Sequence, residues 1–361
     1  MSDTVTNESG QSAYAQAGVD IEAGDKAVQL MKQWISRTER SEVIGGIGGF
    51  AGLFDASKIA RYHHPVLATS TDGVGTKVAI AQAMDVHDTI GFDLMGMLVD
   101  DLVVTGAEPL WVTDYIACGK VVPEKIASIV KGIADACVVA GCALLGGEVA
   151  EHPGLLGPDE YDVAGATTGV VEHDDMLGPD RVRAGDVAVA MASSGLHANG
   201  YSLVRKVLLT DAGWSLDREV PELGRALGLE LLEPTRVYAL DVLALIEAVE
   251  IHAMSHITGG GLANNLARVV PAGMRVRIDR TTWQPPAIFR LVQEVGAISQ
   301  PDIEATLNQG VGMVALLPAD RAEDAVALLA RRGIPAWVCG EVVPAAGPED
   351  PGAVELVGQH Q

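Results

Sequence analysis

Pro65-Val66-Leu67-Ala68-Thr69-Ser70-Thr71-Asp72-Gly73-Val74-Gly75-Thr76-Lys77 begins as a strand and ends in a turn punctuated by glycine. Residues 65–71 read as extended chain, and the glycines that follow let backbone N–H groups approach an anion closely. Asp72 could hold a magnesium ion, and Lys77 could offset phosphate charge. A tight turn with an ordinary surface lysine accounts for the same residues, so the segment alone leaves both readings open. It is not a Walker loop, because the GxxxxGK[ST] spacing is absent.

Outward from this turn, strands are expected at 110–117, 143–146, 163–171, 187–192, 274–278, 311–317 and 335–342. Helices are expected at 24–40, 89–106, 123–141, 201–211, 236–248, 262–269, 285–296 and 320–332, the third entered through Pro123 at a first-turn position. The strands are irregularly spaced, which favours an α+β protein with mixed sheets over a doubly wound parallel sheet. The texture changes after Val171, where a charged stretch carries Gly178-Pro179 and Gly185 as turn signals. A boundary there gives an N-terminal domain at 13–174 and a C-terminal domain at 175–345, with tails at 1–12 and 346–361.

Composition narrows the function classes. The chain has 361 residues, 48% of them hydrophobic and only 4% aromatic, so its core must come from Ala, Val, Leu and Ile. The net charge of −23 argues against nucleic acid as a partner, since a polyanion needs basic surface. Small anions remain possible through backbone N–H groups, a metal ion and a few local cations. No stretch reaches the ~18–20 apolar residues of a membrane span, and Met1–Ser12 lacks the order of a signal peptide. Cys118, Cys137, Cys142 and Cys339 form no zinc spacing and read as buried thiols of a cytoplasmic protein.

Four further segments could carry chemistry. The loop 45–52 contains a GxGxxA pattern at Gly46, Gly48 and Ala51, with Gly49 beside it. Without an immediate helix after it this is a poor Rossmann fingerprint, and a mobile loop over a phosphate competes with a plain connector. Asp100 and Asp101 lie in an otherwise apolar helix, with Asp93 two turns upstream on the same side as Asp100. Adjacent carboxylates are costly to bury; a divalent cation relieves that cost, as does one of them pointing at water. Asp72, Asp101 and Glu148 all fall at or near element ends, which suits a magnesium site shared with substrate phosphates. Ser193-Ser194-Gly195-Leu196-His197-Ala198-Asn199-Gly200 links a strand to a helix and contains one acid–base candidate, His197. His256-Ile257-Thr258-Gly259-Gly260-Gly261 is either a simple turn or an anion loop.

In their order along the chain these runs resemble the aminoimidazole ribonucleotide synthetase, or phosphoribosylformylglycinamidine cyclo-ligase, family. The resemblance extends from Tyr14 to about Val342. It also rests on Ala17-Gly18-Val19-Asp20-Ile21-Glu22-Ala23-Gly24, Asp101-Leu102-Val103-Val104-Thr105-Gly106-Ala107-Glu108-Pro109, Gly146-Gly147-Glu148, Pro234-Thr235-Arg236, Asn308-Gln309-Gly310-Val311-Gly312-Met313 and Gly340-Glu341-Val342. It implies two α+β domains and a homodimer in which the N-terminal domains pair their sheets into a closed β-barrel, with ATP near the interface. The implied substrates are ATP and formylglycinamidine ribonucleotide; the products are aminoimidazole ribonucleotide, ADP and phosphate.

The resemblance implies ATP contacts at Gly46, Gly48, Gly49, Asp72, Gly73, Gly75, Thr76 and Lys77, and magnesium at Asp72, Asp101 and Glu148. It implies substrate contacts at Ser194, Gly195, His197, Asn199, Thr258 and Gly259, with His197 and Lys77 as catalytic candidates. The chain departs from the family pattern at Asp100, where Asn is usual, and at Ala15-Gln16, which replace a Lys-Asp-like pair. Leu307 replaces a Phe, and His152 stands where Met is common. Two alternatives remain: another ATP-dependent small-molecule phosphotransferase of the same superfamily, and a catalytically silent nucleotide-binding regulator. Retention of Asp72, Asp101 and Glu148 weighs against the second.

Overall fold

The computed structural model describes residues 20–46 and 49–360. The expected 1–12 tail, the Ala15-Gln16 departure, Ala17–Val19 and Ile47-Gly48 lie outside them.

The N-terminal domain opens with α1 (Ile21–Ile35), capped by the Asp20 carboxylate on Ala23 N–H. Strands β1 (Val43–Ile44) and β2 (Leu53–Phe54) form a hairpin. Next come β3 (Pro65–Gly73), α2 (Val78–Met84), α3 (Ile90–Val103), β4 (Glu108–Cys118), α4 (Pro123–Ala140), β5 (Ala143–Glu151) and β6 (Tyr161–Glu172). The C-terminal domain contains β7 (Asp186–Ala192), α5 (Tyr201–Val204), β8 (Glu219–Val220), β9 (Arg225–Ala226), α6 (Leu227–Leu231) and α7 (Ala239–Ala248). It continues with β10 (Ala253–His256), α8 (Gly261–Leu266), β11 (Met274–Asp279), α9 (Ala287–Val295), α10 (Gln300–Glu304), β12 (Val311–Pro318), α11 (Ala322–Arg331), β13 (Ala336–Pro344) and β14 (Ala353–Val357).

Both large sheets are mixed. The N-terminal sheet runs β3-β6-β4-β5, with only β4 and β5 parallel. Its alternation is strict on β4: Val112, Asp114 and Ile116 are buried, while Thr113 and Tyr115 are exposed. Helices α3 and α4 cover the buried face. They cross closely because both carry glycine at the contact; a Cβ on Gly91 would lie 2.1 Å from the Gly132 carbonyl carbon. The C-terminal sheet runs β10-β12-β7-β13-β11-β14, with only β11 and β14 parallel. Its central strand β12 is buried throughout Val311–Leu317 because both faces are covered, one by the core shared with the first domain, the other by a second cluster around Leu262, Leu266 and Val276.

Three expectations are corrected here. The segment 346–361, read as a tail, carries β14, which pairs in parallel with β11 from Arg275↔Ala353 to Asp279↔Val357. Residues 143–146 are the start of a strand that runs on to Glu151, its two glycines having hidden the continuation. The helix expected at 201–211 is α-helical only to Val204 and then widens into a π-helix at Arg205–Asp211.

Candidate functional site

Helix α3 is apolar on most of its surface, yet three acids face the second domain. The seven-residue spacing of Asp93 and Asp100 places them on one side, two turns apart. Asp93 Oδ1 accepts from Thr235 N–H at 3.0 Å and from Thr235 Oγ1 at 2.6 Å. Asp100 Oδ1 accepts from Tyr238 N–H at 2.9 Å. Asp101, one residue on, accepts from His256 Nδ1 at 2.8 Å. The helix thus grips two segments of the C-terminal domain, Thr235–Tyr238 and the end of β10 at His256, through three carboxylates.

Asp100 and Asp101 have different fates. Asp100 is fully buried, and its Oδ2 has no partner. Burial holds its carboxyl well above the ordinary range, against the pull of the Tyr238 N–H. A neutral acid here imitates Asn. Because the folded value is raised, Asp100 favours the folded state only at low pH. That contribution fades as pH rises from about 3.8 toward the folded value. Asp100→Asn is therefore expected to flatten the pH dependence of stability, removing a slope of about 1.4 kcal/mol per pH unit. Denaturant unfolding of both proteins at about pH 5 and about pH 8 measures it; parallel losses in the two proteins would exclude this origin.

Asp101 is 44% exposed and lines a cavity of about 290 Å³ between the domains, together with Thr69, Ser70, Ser255, His256 and Arg268. Asp72, at the end of β3, lies within electrostatic reach: burial first, then the Asp101 charge, raise its carboxyl, against the Gly73 N–H and His256. Asp72 therefore senses the Asp101 charge. Glu148 lies apart. In register, Asp72 aligns with Gly165, Asp114 and Gly147, whereas Glu148 aligns with the exposed Tyr115. Glu148 therefore faces the open side of the sheet, and β3 and β5 are three strand spacings apart, about 14 Å. Among the described residues no three acids, histidines or cysteines converge as a metal cage. The expected trio does not form within one chain. Two carboxylates beside phosphate oxygens suffice for magnesium, which keeps waters in its shell, so Asp72 and Asp101 fit that ion.

The Lys77 expectation is the one most changed by the fold. Its side chain is 0% exposed. The ammonium donates to Asp93 Oδ1 at 2.7 Å, to the His197 carbonyl at 3.0 Å and to the Glu233 carbonyl at 2.6 Å. An ammonium has three N–H bonds, and all three are used. Burial pushes Lys77 down and Asp93 up, both toward their neutral forms, and the contact between them opposes the shift. Upstream, a Cβ on Gly73 would lie 3.2 Å from the Val163 carbonyl oxygen, whereas Gly75, at φ +71°, has nothing near an added Cβ; Thr76 Oγ1 meets Ser202 Oγ at 3.1 Å.

The two glycine-bearing loops of the second domain do meet. A Cβ on Gly259 would lie 3.5 Å from Asn199 Oδ1. Asn265 fixes the Gly259 turn by donating to the carbonyls of Thr258, Gly259 and Gly261, and Thr258 Oγ1 bonds to its side chain. Ser194 Oγ donates to Pro234 O and accepts from Arg236 N–H. Gly195 O accepts from Asn308 and Ser193. His197 sits at φ +60° with only 1% exposure, its Nε2 accepting from Ser194 N–H at 3.1 Å. Burial, then the neighbouring His256, Lys77 and Arg236, hold it well below its ordinary value, so the ring is neutral, with Nδ1 buried and unpartnered.

Gly46 and Gly49 sit at the tip of the β1–β2 hairpin, exposed and beside Phe50; Gly48 lies outside the described residues. The sequence reading missed Asp93 and His256 as partners, although the Asp93–Asp100 spacing was the available signal. It also missed Asp114, which strand alternation puts on the inner face. Burial pushes that carboxyl to about 7, and Gly147 makes room for it, since a Cβ there would fall 1.9 Å from Asp114 Oδ1.

Two family descriptions match this arrangement, "AIR synthase related protein, N-terminal domain" over residues 55–171 and "AIR synthase related protein, C-terminal domain" over residues 183–349. Both domains are therefore those of the AIR synthase related class. Within it, the chain is 51% identical over 335 residues to the phosphoribosylformylglycinamidine cyclo-ligase of Shouchella clausii (strain KSM-K16), covering 93% of this chain and 97% of that protein. It belongs to the phosphoribosylformylglycinamidine cyclo-ligase family. Solved structures agree on the fold alone. Thiamine-monophosphate kinase from Stenotrophomonas maltophilia K279a has a TM-score of 0.67 at 19% identity, covering 92% of this chain and 96% of that one. The hydrogenase maturation protein HypE in complex with ATP has 0.60 at 19%, covering 93% of each.

Proposed function

We propose that this chain is an ATP-dependent cyclo-ligase of purine synthesis, converting formylglycinamidine ribonucleotide and ATP into aminoimidazole ribonucleotide, ADP and phosphate. The observation that carries this is near-full-length identity of 51% to a protein of that name. The amide oxygen of the substrate is a poor leaving group. Transfer of the γ-phosphoryl to it makes an iminophosphate; the amidine-side nitrogen then attacks that carbon, and phosphate departs as the ring closes. Fixed N–H donors stabilise the transferring group, and a magnesium ion held by Asp72 and Asp101 would supply countercharge.

In this reading Gly46, Gly49, Gly73, Gly75 and Thr76 contact ATP through their backbones, with the β1–β2 hairpin closing over it. Ser194, Gly195, Asn199, Thr258 and Gly259 form the ribonucleotide side, and Arg268 supplies the cation for its phosphate. The buried His197 shapes that wall from beneath. The protein acts in the cytoplasm as a homodimer. Leu67 and Tyr115, exposed on the uncovered face of the N-terminal sheet, support pairing of two such faces into a barrel. That pairing would carry Glu148 to the partner's ATP site.

The test is turnover. Purified protein should release ADP only with ATP, magnesium and formylglycinamidine ribonucleotide together, the aminoimidazole product forming in step. ADP release on thiamine phosphate instead would sink the cyclo-ligase reading, and tight ATP binding without turnover would favour a regulatory role.

A further inference from the structure

Lys77 ends the turn that carries the nucleotide contacts, yet it leaves the nucleotide side altogether. Its ammonium crosses to the second domain and ends on two backbone carbonyls, His197 and Glu233. Those carbonyls belong to the two segments that Ser194 already ties together through Pro234 and Arg236. Asp93 completes the knot by holding Lys77 on one side and Thr235 on the other. The Tyr201 ring closes it, with its centroid 5.4 Å from Nζ. The left-handed backbone of His197, uncommon outside glycine, is gripped at its own carbonyl.

We propose that Lys77 is a positioning residue for the ribonucleotide wall, holding the loop Ser193–Gly200 against Glu233–Arg236, and not a ligand of ATP. This rests on the reading above that the loop faces the ribonucleotide. With every N–H bond committed and no exposed surface, Lys77 has nothing to offer a phosphate. The loop it holds carries Ser194, Gly195 and Asn199, so a shift of the loop reaches the substrate without touching the nucleotide. Displacement of such a wall by about 1 Å costs on the order of 10²-fold in rate.

Two measurements test this. In the first, the wild-type protein is acylated with an amine-reactive ester, with and without ATP, and mapped by mass spectrometry. Lys77 is expected to stay unmodified in both samples while the exposed Lys206 is labelled. Labelling of Lys77 in free protein that ATP suppresses would overturn the proposal, and this arm needs no turnover. In the second, Lys77→Met is combined with Asp93→Leu, so that neither charge is left buried alone. The expected result is an ATP dissociation constant within about twofold of wild type, with kcat/KM for the ribonucleotide lowered on the order of 10²-fold. A tenfold weaker ATP affinity, or an unchanged kcat/KM for the ribonucleotide, would each overturn it. A wild-type protein that fails to turn over formylglycinamidine ribonucleotide refutes the functional reading instead, and the acylation and ATP-binding arms still decide the role of Lys77.

Discussion

Asp93→Ala is expected to lower the unfolding free energy by about 3–5 kcal/mol, the range for breaking a buried ion pair from one side. The deletion leaves Lys77 at 0% exposure with its charge uncompensated, and it strips Thr235 of the acceptor for both its N–H and its hydroxyl. The stranded Thr235 donors, worth about 1–3 kcal/mol each where water cannot reach them, place the loss at the top of that range. Relief comes only if Lys77 gives up its proton, which burial already favours. The companion double variant, Lys77→Met with Asp93→Leu, is expected to recover only the share due to the lone ammonium, because Thr235 still lacks its acceptor and the His197 and Glu233 carbonyls lose their donor. Denaturant unfolding at neutral pH measures both. A loss under about 1 kcal/mol for Asp93→Ala would mean the pair is held apart or hydrated in solution.

This network explains what could and could not be read from the sequence. The strand Pro65–Gly73, the helix Pro123–Ala140 and the buried strand Val311–Pro318 were legible because local pattern and burial agree there. The strand at Ala353–Val357 was not, because it adds to a sheet edge far away in sequence, and nothing in its five residues announces a partner. The same distinction separates the site residues. Asp72, Asp101 and Glu148 were read together as acids at or near element ends. The destination of Lys77 was not legible, because the two carbonyls that claim it lie 120 and 156 residues away. A lysine after a glycine turn looks the same in sequence whether it faces phosphate or a buried carboxylate; tertiary contacts alone decide. Glu148 shows the converse. Its place after two glycines reads as a strand end, but it lies within the strand Ala143–Glu151, and which face a strand residue occupies depends on register, fixed by the neighbouring strands.

That register leads to the second large effect. Asp101→Ala is expected to reduce kcat by about 10²–10³-fold, the scale of one preorganised electrostatic contact at a transferring group, while the fold survives because Asp101 is the exposed member of its pair. Unchanged turnover would refute its assignment to the metal. Under the proposed sheet pairing, Glu148→Ala is expected to lower turnover as well, on behalf of the other subunit. Glu148 shares the open face of the sheet with Tyr115, away from Asp72 and Asp101, so it does not join them within its own chain. Coexpression separates the alternatives. If each site takes Asp101 from one chain and Glu148 from its partner, half of the randomly assorted dimers are hybrids. Each hybrid has one site with both defects and one with neither, and the mixture regains about a quarter of wild-type activity. If Glu148 serves its own chain, every site in every dimer keeps one defect and the mixture stays at the mean of its parents. Either parent can be weakened by misfolding, but only a site built across the interface makes the mixture more active than both.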